Sequence, residues 1–283
     1  MQLPKPTPAI TQWLPRPLQG GELYYNMPIY IDQLRREINL PATPKRIISV
    51  VPSQTELLFD LGLDEEIIGI TKFCIHPTAQ FKIKPKIGGT KQLNIQKIKE
   101  LVPDLIIANK EENERSQIEE LMNVCPVWIS DIKNLDEALD MIVRVGEITG
   151  KAEKAQAIAQ QIQINFNAFR PAPTDKKVAY FIWKNPYMVA GADTFINDML
   201  KRCGLTNIFA QNRYPEISEQ PLIDADPDLV LLSSEPYPFK QQHIDEFQAM
   251  LPNAKVQLVD GEMFSWYGSR LLYATDYFET LLR

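Results

Sequence analysis

Histidine is scarce in this chain. His76 and His243 are the only two in 283 residues, which excludes any site that needs three imidazoles. Glycine is low as well, at 12 against 22 prolines, and neither GxGxxG nor GxxxxGK[ST] occurs, so a backbone cradle for nucleotide phosphates is not expected. A GxSxG nucleophile elbow is also missing. The three cysteines, Cys74, Cys125 and Cys203, are odd in number and form no CxxC pair. That pattern fits a reduced compartment better than a disulfide framework. No window approaches the roughly 20 apolar residues of a transmembrane helix. With 30 basic and 36 acidic residues the net charge is −6, which gives no reason to expect nucleic acid as a partner.

Residues 1–26 contain five prolines before Gln19 and no apolar run of the length, about 7–15 residues, that a signal peptide requires. They read as a flexible extension, with Met27 as the start of the folded part. As the sequence stands, the expected location is the cytoplasm; a trimmed start or a removed signal would make it the periplasm.

What is present is an α/β alternation. At about 150 residues per domain the length suggests two domains. β-branched runs at 46–51, 67–70, 105–108, 127–129 and 178–183 read as strands, with helical stretches between them. From Lys151 to Phe169 the residues Ala155, Ala159, Ile162, Phe166 and Phe169 fall at helical spacing with no interruption, and one long helix follows. The predicted organisation is an N-terminal α/β lobe over 27–150, a backbone helix over 151–170 and a C-terminal α/β lobe over 171–283. The lobes read as pseudo-repeats. Val102-Pro103-Asp104-Leu105 follows a short helix in the first, Asp226-Pro227-Asp228-Leu229 follows one in the second, and each leads into a buried strand. Each strand is followed by glutamates, Glu111 and Glu112 in one lobe and Glu235 in the other.

Ligands of open α/β sheets bind beyond the carboxyl ends of the strands, and in two-lobed proteins between the lobes. The segments after the strands supply Phe73, Glu111, Trp183 and Tyr187, then the aromatic stretch Met263–Tyr267 with Trp266 and Tyr267, and Arg270 at the start of the last helix. This set suits a flat apolar ligand with polar or anionic edges. Phe264 and Trp266 can equally be read as plugs of the sheet end. Lys91 could meet an acidic group or be a surface lysine. Cys74 and His76 lie two apart and would share one side of an extended segment. They are good soft-metal ligands, but too few alone for a zinc site. Ser53 and Glu56 have the spacing of a capping box, which leaves Glu56 without a functional role. Glu112 and Glu114 are accounted for by a helix dipole. His243 falls in the amphipathic run Gln241–Met250 and is expected to be solvated, while Cys125 and Cys203 are expected to fill the core.

The segments RIISVVPSQTELLFDLGL (46–63), NIQKIKELVPDLIIA (94–108), the helix 151–169, TFINDMLKRCGLTNIF (194–209), SEQPLIDADPDLVLL (218–232) and SRLLYATDYFETLL (269–282) carry a resemblance. The chain resembles the class III substrate-binding proteins of ABC transporters, those for iron-siderophores, haem and vitamin B12, and is most similar to the cobalamin-binding branch. The resemblance implies two lobes on a rigid helical backbone. It also implies a non-enzymatic role in transport, with no intrinsic cofactor and with a corrinoid, haem or ferric chelate held in the cleft. Phe73 stands for a tyrosine of that branch and Arg270 matches an arginine, whereas Lys91 and Asn109 fall where it has tryptophans. An ABC permease as partner is implied through one docking glutamate per lobe. Glu219 matches in the second lobe, but Gln96 stands at the first-lobe position. The second reading is a cytosolic enzyme or metallochaperone that uses Cys74 and His76.

Overall fold

The computed structural model describes residues 28–172 and 174–283; the extension expected over 1–26, with Met27, lies outside the described residues. The first lobe opens with an antiparallel hairpin of β1 (Ile29–Ile31) and β2 (Glu37–Asn39). It continues through β3 (Ile47–Ser49), α1 (Pro52–Asp60), β4 (Ile67–Ile70), α2 (Thr78–Ile83) and the small ribbon β5 (Gly88–Gly89) and β6 (Gln92–Leu93). Next come α3 (Ile95–Glu100), β7 (Leu105–Asn109), α4 (Arg115–Leu121), β8 (Val127–Ser130) and α5 (Leu135–Ile148). The sheet runs β4-β3-β7-β8, parallel throughout. Its strands are almost entirely buried, as a sheet covered on both faces requires.

Helix α6 (Ala152–Ala168) follows and at 1.5 Å per residue reaches roughly 25 Å. The second lobe contains β9 (Lys177–Trp183), β10 (Tyr187–Val189), α7 (Phe195–Arg202), β11 (Thr206–Asn207), β12 (Glu216–Ile217) and α8 (Glu219–Ala225). It ends with β13 (Leu229–Ser233), α9 (Gln241–Met250), β14 (Lys255–Val259), α10 (Gly261–Ser265) and α11 (Leu271–Leu281). Its sheet runs β12-β10-β9-β13-β14, with β11 also paired to β9. Strands β9, β13 and β14 are parallel, and β10 is antiparallel to both of its neighbours.

The internal repeat has a physical basis in the two Pro-Asp turns. Val102 and Asp226, each preceding the proline, both take positive φ, 47° and 42°. In both lobes the next aspartate ties the turn to the start of the first strand. Asp104 accepts from Lys45 N at 2.7 Å and Arg46 N at 2.9 Å, and Asp228 accepts from Lys177 N at 2.7 Å. The aspartate thus sets the register between neighbouring parallel strands at their amino ends.

The two lobes are not separate cores. One apolar cluster runs from Ile48, Ile106 and Ile107 in the first lobe through Ala155, Ile162 and Phe166 of α6 to Tyr180, Leu231 and Phe278 in the second. Only a smaller cluster around Phe181, Leu232 and Phe247 belongs to the second lobe alone. Each large apolar side chain so buried contributes about 2–3 kcal/mol. Helix α6 is clamped on both sides. Gly146 of α5 approaches so closely that an added Cβ would lie 2.1 Å from that of Ala155. On the other side, Asn165 Nδ2 donates to Leu272 O of α11 at 3.0 Å. No helix among the described residues is long and apolar enough to cross a membrane.

Three local expectations change. The Ser53–Glu56 capping box does not form, because α1 begins at Pro52 with Val51 at its N-cap and no side-chain cap. The proline at the first position needs no N–H partner, so the cap is dispensable. His243 is not solvated. It is 3% exposed, packs edge-on against Tyr237 and Phe239, and its Nδ1 accepts from Lys240 N at 2.8 Å at the start of α9. The aromatic stretch 263–267 is mostly helical, and Phe264 is fully buried against Tyr180 and Phe278; for Phe264 the plug reading holds.

Candidate functional site

The parallel strands of both lobes deliver their carboxyl-end segments to one seam. At its floor the backbones nearly touch, since a Cβ on Gly268 would lie 2.6 Å from Ser53 O at the start of α1. This contact places the first turn of α1 beneath the α10–α11 connection. Glu56, read from the sequence as a capping-box residue, and its neighbour Thr55 therefore face different surroundings. Thr55 is buried in the first-lobe core, and Glu56 meets the second lobe.

Arg270 is the hub of the seam. Its Nε donates to Glu56 Oε2 at 3.0 Å and its Nη2 to Glu56 Oε1 at 2.6 Å. Its Nη1 lies 2.9 Å from Glu262 Oε2, and its guanidinium sits 4.9 Å above the Trp266 ring. Glu262 also meets His76 Nε2 of the first lobe at 3.1 Å, and the His76 ring packs edge-on against Trp266. Burial raises the pKa of Glu56 above the ordinary carboxylate range, and the hydrogen bond and charge of Arg270 only partly offset this.

A second group lies beside it. Tyr267 donates its hydroxyl to Glu112 Oε1 at 3.0 Å, and Trp266 Nε1 and Ser265 Oγ both donate to Glu235 Oε1 at 2.8 Å. Adjacent aromatic residues thus hold one carboxylate from each lobe. Burial pushes Glu112 up to about 7, with a further upward push from Glu235, against the lowering effect of the Tyr267 hydrogen bond. Burial also raises Glu235, with the neighbouring Glu262 adding to the shift. Arg213 pairs with Glu111 across the seam and lies 3.7 Å from Asp193. It does so at φ 65°, a left-handed conformation that costs a non-glycine residue about 1–2 kcal/mol. Lys91 Nζ donates to the Glu111 backbone oxygen at 2.5 Å.

The structure brings together Glu111, Trp266, Tyr267, Arg270, Lys91 and His76 as the sequence suggests, but not in the expected roles. Arg270 is held by carboxylates instead of being free for an anionic ligand, and Trp266 and Tyr267 are buried. Phe73 and Trp183 are the open aromatics, 50% and 39% exposed. Phe73 lies just beyond β4 against Gly89, and Trp183 ends β9 beside Tyr237. Tyr187 packs against Phe181 and Phe247 in the second-lobe cluster. Cys74 and His76 do not share a side, because 71–77 is a turn and not a strand. Cys74 is fully buried with its Sγ 3.1 Å from both Thr55 Oγ1 and Thr71 Oγ1, and burial pushes its thiol up to about 11. Among the described residues no group of three or more His, Cys, Asp or Glu could hold a metal ion.

Glu56, Glu112, Arg213, Glu235 and Glu262 are seam residues that the sequence does not single out as ligand-binding. Local patterns assign Glu56 and Glu112 to helix ends, yet α4 starts only at Arg115, which leaves Glu112 free to cross the seam. The signal for Glu235 is its place after β13, matching Glu111 and Glu112 after β7. Nothing in the sequence marks Arg213. Glu219 at the start of α8 and Gln96 in α3 are both exposed at the surface.

Comparison with known proteins gives a consistent picture. The family described as periplasmic binding protein matches residues 47–252. Over 247 residues the chain is 24% identical to the vitamin B12-binding protein of Yersinia pestis, covering 84% of this chain and 86% of that one. The periplasmic vitamin B12 binding protein BtuF of Vibrio cholerae is similar in fold, with a TM-score of 0.71, 23% identity, and coverage of 85% of this chain and 97% of that one. The periplasmic haem-binding protein RhuT from Roseiflexus sp. RS-1, in apo form, gives a TM-score of 0.73 at 20% identity over 84% of this chain and 99% of that one.

Proposed function

The chain belongs to the periplasmic binding protein family, and from that premise we propose that it captures a metal chelate, corrinoid, haem or siderophore-like, between its two lobes. The observation that carries this reading is the pair of open aromatics, Phe73 and Trp183, one at the carboxyl end of each sheet. Large exposed aromatic rings at strand ends are what a flat macrocycle or a chelate ligand shell can stack on. The seam itself carries polar groups from both lobes, Glu111 and Lys91 of the first and Tyr267 and Arg270 of the second. The continuous helix α6 and the shared core favour modest closure over a wide hinge, because an unbroken helix resists bending.

The enzyme or metallochaperone reading depends on Cys74 with His76, and it loses its support. The Cys74 thiol is buried and protonated at neutral pH, so it is neither a nucleophile nor a ready metal ligand. His76 is engaged with Glu262. Delivery to an ABC permease would rest on Glu219, since Gln96 offers only an amide at the corresponding first-lobe position.

Equilibrium dialysis of the purified chain with cyanocobalamin, haemin and ferrioxamine B tests the reading. Saturable binding of at least one is expected, weakened by Phe73→Ala and by Trp183→Ala. No binding of any of them below about millimolar, roughly −4 kcal/mol, would overturn it.

A further inference from the structure

We propose that the face of the first lobe built on α2 and the edge of β4 is a docking surface for an anionic phospholipid bilayer. The inference stands apart from chelate binding, since α2 takes no part in the seam.

Residues 67–99 hold seven lysines and neither aspartate nor glutamate, in a chain whose net charge is −6. The fold gathers this stretch on one side of the lobe. β4 is an edge strand of its sheet, and residues 85–88 run along that edge. Ile70 N donates to Pro85 O at 3.0 Å, Ile87 N to Ile70 O at 2.9 Å, and Lys72 N to Gly88 O at 2.8 Å. Helix α2 leads into this segment and α3 follows it, with Asn94 N bonded to Ile87 O at 2.8 Å. Among the described residues only Lys99 of the seven pairs with a carboxylate, that of Glu120 on α4. Lys97, two residues earlier and so about 200° around the helix, points away from α4. Lys84, Lys86 and Lys91 donate to backbone oxygens, which leaves their charges uncompensated. The arginines of α5, α7 and the seam are, by contrast, each paired with a carboxylate. The carboxylates flanking the stretch, Asp64, Glu65 and Glu100, are outnumbered by its six unpaired lysines, and Glu66 is taken by Lys45.

Apolar side chains stand among these charges. Helix α2 buries none of its six residues, so packing does not account for its composition. Ile83, the last of them, is 76% exposed, the most open large apolar side chain among the described residues. It lies between Lys82 and Lys84 in sequence, and the Lys86 ammonium sits 4.3 Å from the centre of the Phe81 ring. Ammonium groups on long stems around an apolar tip suit a bilayer interface, where the charges meet phosphates and the tip enters the acyl boundary. An acidic protein surface would match the lysines but would leave Ile83 facing charge. A few lysines and one apolar tip give weak, reversible binding, well short of insertion.

Co-sedimentation of the purified chain with vesicles tests this, using phosphatidylcholine alone and an equal mixture with phosphatidylglycerol. At low salt the mixed vesicles should retain the chain and the neutral ones should not, and about 0.5 M salt should release it. Lys82→Gln/Lys97→Gln should weaken the partition by about 25-fold, at about fivefold per lysine, and Ile83→Ser by about fivefold. Lys176→Gln/Lys255→Gln removes the same charge from exposed positions on the second lobe and should change it by no more than about twofold. Failure of the mixed vesicles to retain the chain, equal retention by the neutral ones, or equal losses in the two double variants overturns the proposal. Retention that Ile83→Ser leaves unchanged overturns it too, and comparable binding of poly-L-glutamate then identifies an acidic protein surface as the partner. A second measurement does not depend on the lysine variants folding. The native thiols are buried, so an environment-sensitive dye can be placed on Ile83→Cys or on Tyr273→Cys, the latter at a 63% exposed position of α11. Mixed vesicles should blue-shift the dye at 83 and not at 273; any other pattern overturns the proposal.

Discussion

Arg270 of the second lobe grips Glu56 of the first through two parallel hydrogen bonds, Nε to Oε2 at 3.0 Å and Nη2 to Oε1 at 2.6 Å. The side chains are only 13% and 15% exposed, so solvent screens this pair far less than a surface ion pair. Truncation would leave Glu56 and Glu262 without their common cation, and an uncompensated carboxylate in a desolvated place is the most destabilising outcome. Arg270→Ala should therefore destabilise the chain by about 2–4 kcal/mol, lowering Tm by roughly 5–15 °C for a protein of this size. Glu56→Gln keeps an acceptor for the guanidinium and should cost less. Urea melts of the two variants check the order; equal stabilities would show that the clamp contributes little.

Glu112 predicts a pH dependence with a definite sign. Its pKa rises on folding from 4.5 to about 7, so the folded chain holds this proton over a range where the unfolded chain has lost it. Stability from this group is full below the lower value, falls as pH rises between the two, and stays lost above. The groups acting on it are Glu235 and Lys91, with Tyr267 as hydrogen-bond donor. Glu235 shifts the same way, so the two will titrate as a coupled pair. Denaturant midpoints measured from pH 4.5 to 8 should fall across the window in the unmodified chain and fall less in Glu112→Gln. Parallel curves would refute the assignment.

Most of the fold was legible because local chemistry and packing agree. The Pro-Asp turns and the apolar period of 151–169 each have one structural solution, and they appear where the sequence placed them. The site was less legible, and for a specific reason. A glutamate near a helix start has a ready local explanation, and only the tertiary approach of Gly268 to Ser53 reveals that Glu56 and Glu112 meet the other lobe instead. The same holds for Cys74 and His76. Their spacing implied a shared face on a strand, but the chain turns there, sending one inward and the other across the seam. Arg213 is a lone arginine in a loop with no periodicity around it, so no local pattern could identify it.

The cysteines offer a direct probe of packing. Cys74, Cys125 and Cys203 are all buried, and burial raises their thiols to about 11, 12 and 12. Because only the thiolate attacks a disulfide reagent, none should react with Ellman's reagent at pH 8 on the timescale of minutes. All three should titrate in 6 M guanidinium chloride. Rapid modification of one thiol in the native chain would place that residue at the surface.

Gly268 is where the lobes come closest, and its role is steric. A methyl group there would meet Ser53 O at 2.6 Å, with Leu57 Cβ behind it at 3.4 Å, and neither is the end of a flexible side chain. The backbone must move, and overpacking of this kind costs about 1–3 kcal/mol. The displacement would act on the segment that carries Trp266, Tyr267 and Arg270, so Gly268→Ala should weaken chelate binding as well as stability. Gly204, whose added Cβ would meet nothing nearer than 3.5 Å but whose φ is 73°, separates the two effects. Gly204→Ala should destabilise through backbone strain at the end of α7 while leaving chelate affinity within about twofold, since that turn lies away from the seam. Urea melts and dialysis on both variants check this; equal losses of affinity would show that destabilisation alone, and not the seam geometry, weakens binding.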